Sequence, residues 1–216
     1  MLRSARGEKD KERLKYRSLG KLLDDRLLTE EHPGTTELIK KLKPVRKVKY
    51  LTQSELEDIC RWKSSRAMRW IRQNNSAKIK HVTRDAFITR SERDKINHLT
   101  SLKGVGIPMA SAILMLTGPQ RYGVLDIRVW RLLYALGSVR KNPRGTGFTF
   151  NNWYNYLCVL RHHAKRLGVS VRAVERTLFE YHKKNQVGRL YDKIQLSSLK
   201  RLNNAIDAFE THVRTR

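Results

Sequence analysis

The sequence predicts an all-α fold. Apolar residues recur three and four positions apart along most of the chain, the spacing that gathers them on one face of a helix. No stretch alternates apolar and polar residues as a half-buried strand would. Residues that start and stop helices stand at the ends of these patterns. The expected architecture is a helical core over 51–186 built around two helices joined by a hairpin. A basic helical extension, 1–50, precedes it, and a helical segment, 187–216, packs on it from behind.

Residues 1–50 are charged and helix-prone, with Leu14, Leu19, Leu22, Leu23, Leu27 and Leu28 as their apolar points. One or two helices are expected there, broken around His32-Pro33-Gly34. A short helix then runs from Thr36 to Leu42 and is stopped by Pro44. Lys40, Lys41, Lys43, Arg46, Lys47 and Lys49 form a basic run, either a solvated linker or a phosphate contact.

Thr52-Gln53-Ser54-Glu55 has the form of a capping box, with Leu51 and Leu56 placed as a hydrophobic staple. The helix it opens carries Ile59 and Cys60 and ends in Arg61-Trp62-Lys63-Ser64-Ser65-Arg66. A second short helix through Met68, Trp70 and Ile71 stops at Asn74-Asn75. Ser76 is expected to cap a helix bearing Ile79, Val82, Ala86 and Phe87. Ser91 opens the next, with Ile96, Leu99 and Leu102 leading into Gly104-Val105-Gly106. Pro108 follows, where a helix start tolerates its missing N–H, and Ala110, Ile113 and Leu114 continue at helical spacing. The glycines permit the positive φ and the close approaches of a helix reversal.

A loop from Thr117 to Leu125 leads to Asp126 and a helix through Leu136. A second loop, Lys141–Gly147, precedes a helix capped by Asn151 or Asn152. That helix carries Trp153, Tyr156, Leu157, Val159 and Leu160 and ends at Gly168, a C-cap. Ser170 caps another with Val174, Leu178, Phe179 and Tyr181. Leu190, Ile194, Leu199, Leu202, Ile206 and Phe209 mark one more helix beyond Val187.

Lysine and arginine number 46 against 20 acidic residues among 216, a formal charge of +26 spread along the whole chain. That is the footprint of a polyanion binder; a ribosome-associated protein and a membrane-surface binder are the plainer alternatives. No stretch approaches the length of a membrane span, and Met1–Gly20 is too charged for a secretory signal. An intracellular protein is expected, cytoplasmic or nucleoid-associated if bacterial. Cys60 and Cys158 lie far apart without metal-ligand spacing, which excludes a disulfide framework and a cysteine-held zinc or iron–sulfur site. His162 and His163, with no further ligand at helical spacing, read as a surface pair or core donors.

Two features carry chemistry. The Gly104-Val105-Gly106 hairpin directs backbone N–H groups and the positive end of a helix dipole to one place, which suits a phosphate. No strand precedes it and no full G-x-G-x-x-G is present, so dinucleotide binding is excluded. Asp126, between Leu125 and Ile127 at a helix start, is either an N-cap or a catalytic carboxylate in a partly dry pocket; both can hold together.

LKGVGIPMASAIL, a loop and then VLDIRVWRLL resemble the helix-hairpin-helix DNA glycosylase superfamily. Leu102, Gly104, Gly106, Ala110, Asp126, Val129 and Arg131 fit its pattern, while Arg128 stands where the family often has His. The likeness covers 99–136 closely and 52–185 loosely. It implies a monofunctional enzyme that flips a damaged or modified base from double-stranded DNA and hydrolyses its N-glycosidic bond, in base excision repair. Asp126 would stabilise the oxocarbenium-like sugar and orient or deprotonate a water. Pro108 occupies the place of the lysine with which some relatives form a Schiff base, so an intact abasic strand is expected.

The resemblance further implies DNA contacts from Lys103, Gly104, Val105, Gly106 and Arg128. By chain order, Trp62, Lys63, Ser64 and Arg66 fall at the family's wedge into the duplex; Gln73, Asn74 and Asn75 are a second wedge candidate. Trp130, Tyr122 and Trp153 are expected around the flipped base, with core packing as their alternative; core packing is favoured for Trp70 over Trp62. No cofactor is expected, save a monovalent cation at the hairpin as the one exception, and a monomer is expected because one flipped nucleotide needs one pocket. The wedge and lysine of the well-known subfamilies are missing. That leaves room for a hypermodified cytosine of viral DNA as substrate, and so for antiviral defence. A non-catalytic DNA-binding module is the remaining alternative; a phosphoryl-transfer enzyme would need clustered acidic residues for metal ions, and these are sparse near the hairpin.

Overall fold

The computed structural model describes residues 16–186, and these are all-α. The helices are α1 (Leu19–Arg26), α2 (Pro33–Lys41), α3 (Val45–Val48), α4 (Gln53–Ser64), α5 (Met68–Ile71), α6 (Ser76–Ile88), α7 (Glu92–Thr100), α8 (Ile107–Thr117), α9 (Ile127–Ala135), α10 (Phe150–Leu167) and α11 (Val171–Asn185). A 3₁₀ turn, Ser65–Ala67, joins α4 to α5. Leu14 and the helix expected beyond Val187 lie outside the described residues.

The core is built around α8, whose residues Met109–Thr117 are all buried. A helix apolar on every side must be enclosed on every side; α2, α4 and α7 pack directly against it. Behind them α9 and α10 each pack on α11, α10 also touching α7.

The expected capping box is present: Thr52 Oγ1 accepts from the Glu55 N–H while Glu55 accepts from the Thr52 N–H at 2.7 Å. Ser91 and Ser170 cap α7 and α11 as read from the sequence, and Gly168 closes α10 at φ +66°. Two caps are displaced by one to three residues. Asn75 caps α6, leaving Ser76 as its first helical residue, and Thr149 caps α10 in a reciprocal box with Asn152. In each case the neighbour one or more positions earlier also has a side-chain acceptor, and the extended backbone falls there.

The break expected around His32-Pro33-Gly34 is present, α1 ending at Arg26 and His32 capping α2, which starts at Pro33 and not at Thr36. Pro33 occupies the first turn, where no N–H is needed. The N-terminal segment is also not an appendage: Tyr16, Leu19, Leu22, Leu23, Leu42 and Val45 are buried in the same core as α8. Part of the basic run is also bonded within the chain. Arg46 Nε donates to the Thr117 carbonyl at 2.7 Å, satisfying the C-terminal end of α8, and Lys41 pairs with Asp58 at 2.6 Å.

Candidate functional site

The turn between α7 and α8 reverses the chain over Ser101–Gly106. Only one of its glycines takes a positive φ, Gly104 at +80°. A Cβ there would stand 2.9 Å from the Trp70 Cβ and 3.1 Å from the Ile71 nitrogen, so glycine is required by space as well as by backbone. Gly106 is extended at φ −87° and caps α8 without a side chain, which corrects the expectation of positive φ at both. The turn is locked from α5's side by Asn74. Its amide donates to the Lys103 carbonyl at 3.0 Å and accepts from the Lys103 N–H at 2.9 Å. Asn74 is buried, so it is a clamp and not a wedge. Gln73 meets the Lys103 ammonium at 3.3 Å and Asn75 caps α6.

Lys103 and Gly106 are exposed at this turn, whereas Val105 is buried and offers only its backbone. Beside them Trp70 is 45% exposed with the Arg69 guanidinium 4.8 Å over its ring. Trp62 is the half-buried one. Its indole N–H donates to Thr35 Oγ1 at 3.1 Å, and Arg172 lies over its ring. The expected ranking of the two tryptophans is thus reversed. The one-turn helix α5 is too short for periodicity to say which face is covered.

Asp126 stands 20 residues after Gly106 in the chain and is tied back to the hairpin helix. Ser111 Oγ donates to the Pro108 carbonyl at 2.7 Å and accepts from the Leu125 N–H at 2.8 Å. Tyr156 donates to the Val124 carbonyl at 2.6 Å, and the Val124 N–H donates to Glu175. Gly123 admits this packing, because a Cβ there would fall 2.7 Å from Leu160 Cδ1 and 2.9 Å from Glu175 Cβ. The strap 123–125 therefore delivers Asp126 to the start of α9 in one position. There its Oδ1 accepts from the Arg128 N–H at 2.9 Å, an N-cap. Its Oδ2 accepts from Lys63 Nζ at 3.0 Å. The Lys63 and Asp126 side chains are 16% and 21% exposed, sheltered but open to one side.

Lys63, expected at the wedge, is the partner of Asp126. Its position hints at more: it lies three and four residues after Cys60 and Ile59, both fully buried, so the same face of α4 carries it inward. Ser64 is half-buried with its carbonyl accepting from Cys60 Sγ, and Arg66 is exposed on the 3₁₀ turn. The Arg128 side chain turns toward α11, bonding Gln186 and lying over Phe179. His182 of α11 feels Arg128, Arg131 and Asp126. Burial and the two arginines hold it down at about 4, against the pull of Asp126.

The three aromatics expected around a flipped base are core residues. Trp153 is fully buried. Trp130 donates to the Asn142 carbonyl at 2.7 Å and meets Phe148 edge to face. Tyr122 bonds Glu92 at 3.0 Å, and burial and that carboxylate push its hydroxyl up to about 12. Trp130, four residues after Asp126, does not share its face because Asp126 is an N-cap outside the helix. Its side chain folds over the helix end while Trp130 points inward.

Beneath the strap lies a second charged cluster that the sequence reading missed. Glu175 is buried against Arg172, which also donates to Glu31 at 2.6 and 3.1 Å, with Arg176 near Glu31 at 3.5 Å. Its signal was present: Glu175 follows Val171 by four positions, on the face that enters the core. Among the described residues no three His, Cys, Asp or Glu side chains gather as a metal site, and no helix is long and apolar enough to cross a membrane. No family model, curated protein or solved structure matches the chain.

Proposed function

We propose that the chain is a helix-hairpin-helix DNA glycosylase with Asp126 as its catalytic carboxylate. The observation that supports this best is the way Asp126 is mounted. A carboxylate with both oxygens bonded, on a strap tied to the hairpin helix through Ser111, stays partly open to solvent. The N–H groups at the start of α8 and the Lys103 side chain would take a backbone phosphate. The charge of +26 would draw in the duplex.

The base must leave the stack first, at a cost of a few kcal/mol that is smallest for damaged or modified positions. As the glycosidic bond breaks, positive charge grows on the sugar. A carboxylate already oriented beside it stabilises that charge without reorganising. A water then completes hydrolysis and leaves an abasic site. Pro108 carries no amine, so its position at the start of α8 supplies no nucleophile for cutting the strand.

One observation favours the plainer reading, a DNA-binding module without catalysis: Asp126 also serves as the α9 N-cap. The two readings part on Asp126→Asn, because Asn caps a helix about as well as Asp and carries no charge. The test is release of bases from duplexes bearing alkylated, oxidised, deaminated, mismatched or hypermodified bases, with hot alkali to reveal abasic sites. The expected result is alkali-labile sites in one substrate class with the wild type. Asp126→Asn should slow their formation on the order of a hundredfold to ten-thousandfold while duplex affinity is kept. Silence across all substrates, with salt-sensitive binding unchanged by the substitution, would establish the binding module.

A further inference from the structure

We propose that Arg144-Gly145-Thr146-Gly147, with Lys141, is a second backbone-phosphate site, on the other flank of Asp126 from the hairpin. The inference rests on the reading of duplex DNA as the partner and names a further grip on it. From Ile127 to Val174 the chain contains no Asp or Glu, while nine Lys and Arg fall in that stretch, so a ligand there meets a positive field. The loop after α9 turns back onto that helix and is fixed to it. Asn142-Pro143-Arg144-Gly145 is a turn closed by the Gly145 N–H on the Asn142 carbonyl at 3.0 Å, with proline at the position that favours it. The Trp130 indole N–H donates to the same carbonyl at 2.7 Å. Arg131 Nε donates to the Arg144 carbonyl at 3.2 Å, and the Asn142 amide to the Thr146 carbonyl at 2.8 Å. A Cβ on Gly145 would stand 3.1 Å from Trp130 Cδ1 and 3.2 Å from Ile127 Cγ1, so the loop lies directly on the first turn of α9. Asp126 thus has a fixed neighbour on each side. Leu125 is bonded to the hairpin helix through Ser111, and Ile127 carries the loop.

Pinning the loop uses up its acceptors and leaves its donors. The carbonyls of Asn142, Arg144 and Thr146 are all taken by the bonds just named. The N–H groups of Thr146 and Gly147 find no acceptor among the described residues. Gly145 and Gly147 take φ of +65° and +58°, and Thr146 between them is not in the positive region. That alternation is the backbone pattern that gathers successive N–H groups into an anion-binding concavity. No atom lies within 4 Å of the place a Gly147 Cβ would take, so the backbone can be approached there. Lys141, Arg144 and Thr146 are exposed around it, and neither Lys141 nor Arg144 is paired with a carboxylate among the described residues. A guanidinium fork, an ammonium and two N–H groups with no competing acid suit a phosphate diester. A strand held by one phosphate here and another at the hairpin would run past Asp126 between them.

The test measures binding of the full chain to a duplex carrying one tetrahydrofuran abasic analogue, with single phosphates replaced in turn by uncharged methylphosphonate. The wild type should lose affinity at two separate places, one on each side of the analogue. Lys141→Gln combined with Arg144→Gln should weaken binding on the order of tenfold and lower the slope of log affinity against log salt by about 1. It should blunt the sensitivity at one of the two places only, and Lys103→Gln should blunt it at the other. Lys21→Gln combined with Lys165→Gln removes the same charge from exposed positions on α1 and α10 and should leave both places sensitive. All these side chains are exposed, so each variant should keep the wild-type Tm. A Lys141–Arg144 double variant that binds no worse than the α1–α10 control, or whose methylphosphonate profile matches that of the wild type, would overturn the proposal. The two readings fail separately. Base release with a profile unaltered in the double variant leaves the glycosylase without this site; the expected profile with no base released from any duplex leaves the site on a binding module. A wild type without salt-sensitive duplex binding would overturn both.

Discussion

Two carboxylate–cation pairs flank the strap 123–126, and they are built in opposite ways. Arg172 and Glu175 lie three residues apart on one helix, with side chains 12% and 2% exposed. Every acceptor of Glu175 has company: Arg172 on one side and the Val124 N–H on the other. Arg172 in turn holds Glu31 through two bonds. Lys63 and Asp126 come from distant helices, meet through a single contact and keep a solvent edge. Burial pushes the Glu175 carboxyl above its usual range against the pull of Arg172, as desolvation does to a carboxylate. A buried, fully satisfied pair fixes a scaffold; a sheltered pair joined by one contact keeps an edge open to solvent. The first holds the strap on which the second is mounted.

This contrast breaks most visibly when Glu175 is removed. Glu175→Ala leaves Arg172 with Glu31 alone and takes the acceptor from the Val124 N–H, and breaking a buried pair costs about 3–5 kcal/mol. A steep fall in Tm or in the denaturation midpoint is expected. Asp126→Asn should leave stability nearly unchanged and affect only turnover, because the cap survives. Equal loss of stability from both would show that the two pairs share one structural role.

A smaller effect is expected at the strap itself. A methyl group at Gly123 meets Leu160 Cδ1 at 2.7 Å and Glu175 Cβ at 2.9 Å. Overpacking of this kind costs about 1–3 kcal/mol. Gly123→Ala should lower stability by that amount, read by denaturant titration, and should slow base release further by shifting Asp126. A variant as stable as wild type would mean that α10 and α11 yield easily and that the strap is loosely held.

How much of this was legible in the sequence follows from how local each feature is. The hairpin, the Thr52–Glu55 box, the Gly168 stop and the Asp126 cap each depend on residues within one helical turn, and each was readable. The Asn74 clamp on Lys103 spans 29 residues and the Lys63–Asp126 pair 63. Such meetings are decided by how helices pack, on which a single sequence is silent. The pocket aromatics show the same limit from the other side. Trp130 and Trp153 carried the right chemistry for stacking on a base. Their place on the inward faces of α9 and α10, beside Val129, Leu133, Leu157 and Leu160, made them core. The N-terminal helices were read as an appendage because the family resemblance does not reach them, yet Leu19, Leu22 and Leu23 form one face that α11 covers.

The smallest effect tests the open side of the comparison without measuring turnover. His182 is held at about 4 by burial and by Arg128 and Arg131, with Asp126 as the opposing charge. In the unfolded chain it titrates near its ordinary value of 6.5. Between these values the unfolded state binds the proton and the folded state does not, so stability rises with pH across that window. The contribution of neutral His182 is therefore complete above pH 6.5 and is lost as pH falls toward about 4. Allowing for its partial exposure, the change is on the order of 1 kcal/mol. His182→Gln should flatten the slope of Tm against pH in this window while carboxylates elsewhere titrate as before. Asp126→Asn removes the one opposing charge and should push the His182 midpoint lower still, visible in its imidazole NMR titration. A midpoint unmoved by Asp126→Asn would place His182 outside the reach of that carboxylate. An upward move would mean that the arginines had turned away from His182 toward solvent, and that the open pair rearranges when its charge is lost.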